Sequence, residues 1–106
     1  MSITDTQAIT SETILESLRE IFPHIQKQYQ INQLGLFGSY VRGEATETSD
    51  IDLLVEFSPD INFGLITYCK LENYLSERLG KKVDLVTKDG LKPYIGQQIL
   101  QEVVYL

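Results

Sequence analysis

The chain has 106 residues, of which 42% are hydrophobic and 23% are charged. This length and composition predict one soluble globular domain over residues 1–106, with a polar and frayed stretch at residues 1–10. The net charge of −6 disfavours direct binding to nucleic acid, because an acidic surface repels the phosphate backbone.

No apolar run approaches the roughly 18 residues that a transmembrane helix needs, and the N terminus lacks the pattern of a secretion signal. We therefore expect a cytoplasmic protein without a membrane anchor. The single cysteine, Cys69, fits a reducing compartment, and its apolar surroundings predict a buried packing thiol. His24 lacks recognisable catalytic or metal-binding partners in the sequence, so we expect its side chain to be exposed.

Hydrophobic periodicity and breaker residues predict alternating helices and strands, and this alternation is typical of an α/β (α+β) layer fold. The predicted elements are, in chain order, a helix at Ser11–Phe22 that Pro23 breaks before a short continuation to about Gln28, a strand at Gln33–Phe37, a brief helix at Ser39–Arg42, a strand at Asp50–Phe57, a helix at Gly64–Leu79, a strand at Lys82–Thr87, a helix from Leu91 to about Gln101, and a strand at Val103–Leu106.

The helix predicted at Gly64–Leu79 is apolar on more than one side. Core packing combined with amphipathic tyrosines explains such a pattern, and so does an interface with a partner protein or with a second copy of the chain.

Two aspartates mark the start of the clearest predicted strand. Side chains alternate between the faces of a strand, so Asp50 and Asp52 share one face while the apolar residues at 51, 53, 55 and 57 share the other. Two carboxylates this close repel each other unless a cation lies between them. Oxygen ligands of this kind favour Mg²⁺, which also binds substrate phosphates and water.

A third carboxylate follows from the same alternation in the next strand. There Val83 and Leu85 face one way and Asp84 faces the other. If the two strands are neighbours, Asp84 joins Asp50 and Asp52, and the three carboxylates would support two Mg²⁺ ions. Asp84 is also a candidate general base for an attacking hydroxyl.

A Gly-Ser pair precedes the aspartates and predicts a phosphate-binding corner. Gly38 permits close approach of the backbone, and a helix that opens at Ser39 directs N–H groups and a hydroxyl towards an anion. Arg42 could contact a phosphate or could pair with a nearby carboxylate, and the sequence favours neither.

The stretch from Leu36 to Phe57, LFGSYVRGEATETSDIDLLVEF, resembles the core of the DNA polymerase β-like nucleotidyltransferases. Their signature is Gly-Ser, ten residues, and then Asp-x-Asp, which Gly38-Ser39 and Asp50-Ile51-Asp52 match. Asp84, in KKVDLVT, matches the third carboxylate of the family. The short length and the continuation KVDLVTKDGLKPYI are most similar to the minimal nucleotidyltransferase (MNT) branch, and the similarity covers about two-thirds of the chain.

The resemblance implies a mixed β-sheet of three to four strands flanked by helices. It also implies transfer of a nucleoside monophosphate from an NTP to a hydroxyl, with ATP as the substrate. Asp50, Asp52 and Asp84 would bind Mg²⁺, and Gly38 and Ser39 would hold the phosphates. Similar proteins are antitoxins of HEPN/MNT pairs, which implies a HEPN ribonuclease toxin as partner and a tyrosine of that toxin as acceptor.

Two other functions are compatible with the sequence. An antitoxin could neutralise its partner by binding alone, with the three-aspartate site idle. Alternatively, a nucleotidyltransferase could act on the hydroxyl of a small molecule with help from another subunit. The complete set of carboxylates favours an active site over an idle one.

Overall fold

The computed structural model of the protein describes residues 9–59, 64–91 and 93–106. Helices and strands alternate in the predicted order, and most predicted boundaries differ from the observed ones by one or two residues. The elements are α1 (Ser11–Tyr29), β1 (Ile31–Phe37), α2 (Ser39–Arg42), β2 (Ile51–Phe57), α3 (Leu65–Leu79), β3 (Val83–Thr87), a 3₁₀ turn at Lys88–Gly90, α4 (Pro93–Glu102) and β4 (Val104–Tyr105).

The four strands form one mixed sheet in the order β3-β2-β1-β4. β2 and β3 run parallel, whereas β1 is antiparallel to both β2 and β4. The predicted mixed sheet flanked by helices is therefore confirmed. None of the helices in the described residues has the length and apolar character needed to cross a membrane.

The hydrophobic core lies between one face of the sheet and the helices α1 and α3. The predicted alternation in β2 is confirmed, because Ile51, Leu53 and Val55 are fully buried in the same cluster as Leu71 and Leu75 of α3. Apolar burial of this kind provides the main driving force for folding. It also fixes the register of β2, since a slip by one residue would exchange its two faces.

Pro23 does not break the first helix, contrary to the prediction. α1 continues through it to Tyr29. A proline inside a helix costs about 3 kcal/mol, but Ile21 and Ile25 on either side of Pro23 are buried in the core, and this packing outweighs the cost. The predicted start of the helix is confirmed, because Thr10 forms a capping box with Thr13.

The second half of helix α3 packs against the core, whereas its first residues are exposed to solvent. Leu71 and Leu75 are buried, but Leu65 and Ile66 are 76% and 73% exposed. Core packing therefore does not account for the whole apolar pattern of this helix. The prediction for Cys69 was wrong, because the thiol is exposed on α3. His24 is exposed as predicted, and its ring lies near that of Tyr74.

Side chains of α3 bind the backbone of β3 on both sides of Asp84. The Ser76 hydroxyl accepts the Val83 N–H at 3.0 Å, and the Glu72 carboxylate accepts the Leu85 N–H at 3.0 Å. The Tyr68 hydroxyl donates to the Leu85 carbonyl. Because β3 is an edge strand, these bonds satisfy backbone groups that would otherwise be available for strand pairing.

Candidate active site

Gly38 joins β1 to α2 and packs directly against Asp52. Its backbone has φ +84° and ψ −153°, a region that is essentially restricted to glycine. A Cβ atom at this position would clash with the Asp52 Oδ2 atom. The glycine therefore allows the main chain to approach the carboxylate, as the Gly-Ser motif predicts.

Asp52 and Asp84 are partners in the register of the parallel strands β2 and β3. Neighbouring strands lie about 4.8 Å apart, so the two carboxylates are close neighbours at the sheet. Asp84 is exposed while Val83 and Leu85 beside it are buried, which confirms the predicted alternation in β3. Asp50 directly precedes β2, and its Oδ2 atom lies 3.9 Å from the Lys82 Nζ atom.

The environment of Asp52 opposes its negative charge. Burial, together with the charges of Asp84 and Asp50, raises the pKa of the Asp52 carboxyl to about 6. The positive charge of Arg42 lowers this pKa, and the negative charge of Glu102 raises it slightly further. A carboxylate in this situation gains from a bound cation, which would compensate the repulsion.

The donor set at this end of β2 and β3 fits Mg²⁺ in its usual mode of binding. Within the part of the chain that the structure describes, no three His, Cys, Asp or Glu side chains form a ready-made metal cage. Mg²⁺ seldom uses such a cage, since it binds one or two carboxylates together with substrate phosphates and water. The pair Asp52 and Asp84 offers that partial set of ligands.

A second charged group lies on the other side of Gly38. The Glu102 carboxylate accepts the Gly38 N–H at 2.7 Å. It also accepts from the Arg42 Nη1 atom at 3.1 Å to each oxygen. Arg42 pairs in addition with Glu44, whose Oε1 atom lies 3.0 Å from Nε, and these two carboxylates raise the pKa of the guanidinium.

Gly38, Arg42 and Glu102 line an open cleft of about 480 Å³. Its walls are formed by Phe37, Gly38, Arg42, Asp52, Gln98, Ile99 and Glu102. The volume is within the range of small-molecule sites. An acidic side, a basic side chain and a glycine backbone therefore meet in one concave surface.

The model of the nucleotidyltransferase domain family matches residues 12–106. The chain belongs to this family. The resemblance that the motif indicated is thus confirmed at the level of the family and of the enzyme class. The matched range includes every residue of the cleft and of the aspartate cluster.

Known relatives of this nucleotidyltransferase agree with the assignment. The present chain is 42% identical over 98 residues to the protein adenylyltransferase MntA of Thermococcus cleftensis, and the alignment covers 92% of this chain and 97% of that protein. A solved structure described as a minimal nucleotidyltransferase has a TM-score of 0.76 and 35% identity, over 94% of this chain and 99% of its own.

A third similar structure is a toxin–antitoxin complex solved with AMP-PNP. Its matching chain has a TM-score of 0.64 and 26% identity to this nucleotidyltransferase, over 92% of this chain and 72% of that one. The fold is therefore shared with a complex that contains an ATP analogue.

The structure of the nucleotidyltransferase places five of the six predicted site residues around one corner, and the sixth, Asp50, directly precedes β2. Gly38, Asp52 and Arg42 line the cleft, Ser39 opens α2 directly after Gly38, and Asp84 adjoins Asp52 through the sheet register. Arg42 pairs with carboxylates, which is one of the two roles that the sequence left open.

Glu102 was not predicted as a site residue from the sequence. It ends α4, where a negative side chain is disfavoured by the helix dipole. That unfavourable position is a weak sign that the carboxylate has a partner elsewhere. The partners, Gly38 and Arg42, lie 64 and 60 residues away in the sequence, so the contact depends on the sheet topology.

Proposed function

We propose that this nucleotidyltransferase is a Mg²⁺-dependent antitoxin enzyme. It transfers AMP from ATP to a tyrosine hydroxyl of a cognate HEPN-domain ribonuclease and thereby inactivates that toxin. The observation that carries the proposal is the position of Asp52, which is in register with Asp84 and in contact with the Gly38 backbone.

The reaction requires an acidic cluster and a phosphate site to lie next to each other. In the proposal, Gly38 and Ser39 hold the β- and γ-phosphates, with Arg42 as a further phosphate contact. The tyrosine oxygen attacks the α-phosphorus, the bond to the bridging oxygen breaks, and pyrophosphate leaves. Asp84 is exposed at the open side of the cluster, where it can accept the proton of the hydroxyl.

Asp50, Asp52 and Asp84 are the residues that would hold Mg²⁺, with a second ion as the sequence predicted. When bound, the cation supplies charge neutralisation for the triphosphate and polarises the reacting groups. The repulsion that raises the pKa of Asp52 supports this assignment, because a cation relieves it.

A protein acceptor suits a cleft that is open on one side. The relative named MntA is a protein adenylyltransferase, and the similar complex with AMP-PNP is a toxin–antitoxin pair. The exposed Leu65 and Ile66 leave apolar surface on α3 that is compatible with a partner.

Transfer of label to the partner tests the proposal. The protein is mixed with the protein encoded by the adjoining reading frame, ATP labelled in the α-phosphate, and Mg²⁺. We expect label on a tyrosine of the partner, lost in the presence of EDTA. Suppression of toxicity without any label would support neutralisation by binding alone and overturn the enzymatic proposal.

Two variants make the assay specific to the site. Asp84→Asn should reduce the rate of AMP transfer at least ~100-fold, because a general base usually contributes at least that factor to the rate. Asp89→Asn is the matched control, since Asp89 is an exposed aspartate that follows the same strand, and it should label at the wild-type rate. Equal rates for both variants would exclude Asp84 from catalysis.

A further inference from the structure

We propose that Glu102 is an internal competitor of the nucleotide. Its carboxylate occupies the phosphate side of the cleft in the free protein and must leave when a triphosphate binds. The proposal rests on the function proposed above, and it adds a gate that couples nucleotide binding to the C-terminal segment of the chain.

The geometry of Glu102 is that of a bound anion. Its two oxygens accept one backbone N–H and one guanidinium group, from Gly38 and Arg42. Hydrogen bonds of this charge-assisted kind are the strong ones. The side chain is 22% exposed, so it is held inside the cleft and does not extend into solvent.

A triphosphate at this corner needs the same donors. Gly38 N–H and Arg42 are the groups assigned to the phosphates, and both donate to Glu102 in the free protein. A carboxylate and a phosphate cannot share them, because two anions in one place repel strongly where solvent is partly excluded. Either Glu102 leaves, or the nucleotide does not use this corner.

Release of Glu102 would be transmitted to the end of the chain. Glu102 is the last residue of α4, and β4 follows after one residue. β4 is held at the sheet edge by pairing with Gly35 and Leu36 of β1. The same displacement would therefore remove the hydrogen bond that joins the end of α4 to the residue after β1.

Nucleotide affinity tests the competition. AMP-PNP with Mg²⁺ is titrated into the wild-type protein and into Glu102→Ala, and inorganic tripolyphosphate serves as a second probe that lacks the base. We expect both probes to bind roughly tenfold more tightly to the variant, because no carboxylate then competes with the phosphates for the Gly38 N–H and the Arg42 guanidinium. Unchanged or weaker binding would overturn the proposal, and weaker binding would make Glu102 a positioning residue for Arg42.

Glu44→Gln controls for the loss of a negative charge near Arg42. Glu44 pairs with the same guanidinium, at Nε, but it is exposed and is not among the cleft-lining residues. It does not take the place of a phosphate on Gly38, so this variant should gain much less affinity than Glu102→Ala. An equal gain would show a general charge effect and not a competitor.

The wild-type protein offers a direct readout. Through-hydrogen-bond scalar coupling between the Gly38 amide nitrogen and the Glu102 carboxyl carbon should be present in the free protein and absent when AMP-PNP saturates the site. Coupling that persists at saturation would contradict displacement. This measurement does not depend on AMP transfer, so a failed transfer assay with lost coupling would reject the enzymatic function and retain the gate.

Discussion

At the scale of single residues, two glycines with positive φ flank the short helix α2 and serve different purposes. Gly38 has φ +84° and would direct a Cβ atom into Asp52, whereas Gly43 has φ +74° and, among the residues that the structure describes, no neighbouring atom within 4 Å of such a Cβ. Gly43 is therefore required by backbone conformation, and Gly38 by conformation together with the close approach of an acidic side chain.

The two glycines provide a matched pair of variants. Gly38→Ala should lower the free energy of unfolding by about 3 kcal/mol and abolish AMP-PNP binding, because strain and the clash with Asp52 add together. Gly43→Ala should cost about 1 kcal/mol and retain binding, since the left-handed backbone alone is penalised. Urea unfolding and calorimetric titration measure both effects. Binding by Gly38→Ala at wild-type affinity would remove this glycine from the site.

Asp52 gives the free protein a defined dependence on pH. Its pKa of about 6 lies above the ordinary value of 3.8, so the folded state binds this proton more tightly than the unfolded chain. The contribution of Asp52 to the free energy of unfolding therefore falls as the pH rises from 3.8 to about 6. At higher pH the contribution stays at this lower value, because the carboxyl is ionised in both states. Because the side chain is only half-buried, solvent screening limits this decrease to about 1–2 kcal/mol.

Asp52→Asn should accordingly stabilise the protein in EDTA at pH 7.5 by about 1–2 kcal/mol. The gain should disappear near pH 4, where the wild-type carboxyl is also neutral. Urea unfolding at the two pH values measures the difference, with the exposed Asp89→Asn as a control that should change stability by less than about 0.5 kcal/mol. A variant less stable than the wild type at pH 7.5 would show that Asp52 is not under repulsion.

At the scale of elements, α3 fixes the position of β3 by side-chain contacts. Glu72 and Ser76 accept the N–H groups of Leu85 and Val83, on either side of Asp84. The helix thus holds the backbone around Asp84 at the edge of the sheet. The parallel register with β2 aligns Asp84 with Asp52. The sequence predicted both elements, but their hydrogen bonds depend on the rotation of the helix, which periodicity alone leaves undetermined.

Glu72→Ala should therefore lower stability by about 1–2 kcal/mol, because a partly buried N–H loses its acceptor. Hydrogen exchange should locate the change at the Leu85 amide. Glu77→Ala, at an exposed position of the same helix, should stay within about 0.5 kcal/mol of the wild type. An unchanged exchange rate at Leu85 in Glu72→Ala would show that this hydrogen bond contributes nothing to β3.

At the scale of the whole molecule, the site combines residues that lie far apart in the sequence. Gly38 follows β1, Asp52 lies in β2, Asp84 in β3 and Glu102 at the end of α4. The sheet order β3-β2-β1-β4 places the three strands that carry the motif side by side. The cleft is therefore a consequence of topology as much as of any local motif.

Much of this arrangement could be predicted from the sequence, for identifiable physical reasons. Alternation of apolar and polar residues is local, so it gave the faces of Asp52 and Asp84 correctly. The break predicted at Pro23 was wrong because the packing of Ile21 and Ile25 outweighs a local preference. The burial predicted for Cys69 was wrong because the apolar residues around it do not all face the core. Glu102 was not found, since its contacts cross 60 residues or more.

We propose that Asp52 and Asp84 share a divalent cation next to a nucleotide held at Gly38. Mn²⁺ added in substoichiometric amounts with AMP-PNP tests this directly, through paramagnetic broadening of amide signals. We expect selective broadening at residues 37–39, 50–53 and 83–85, and its loss in both Asp52→Asn and Asp84→Asn. Broadening centred on other acidic residues, such as Glu44 and Glu47, or unchanged in the two variants, would contradict the account.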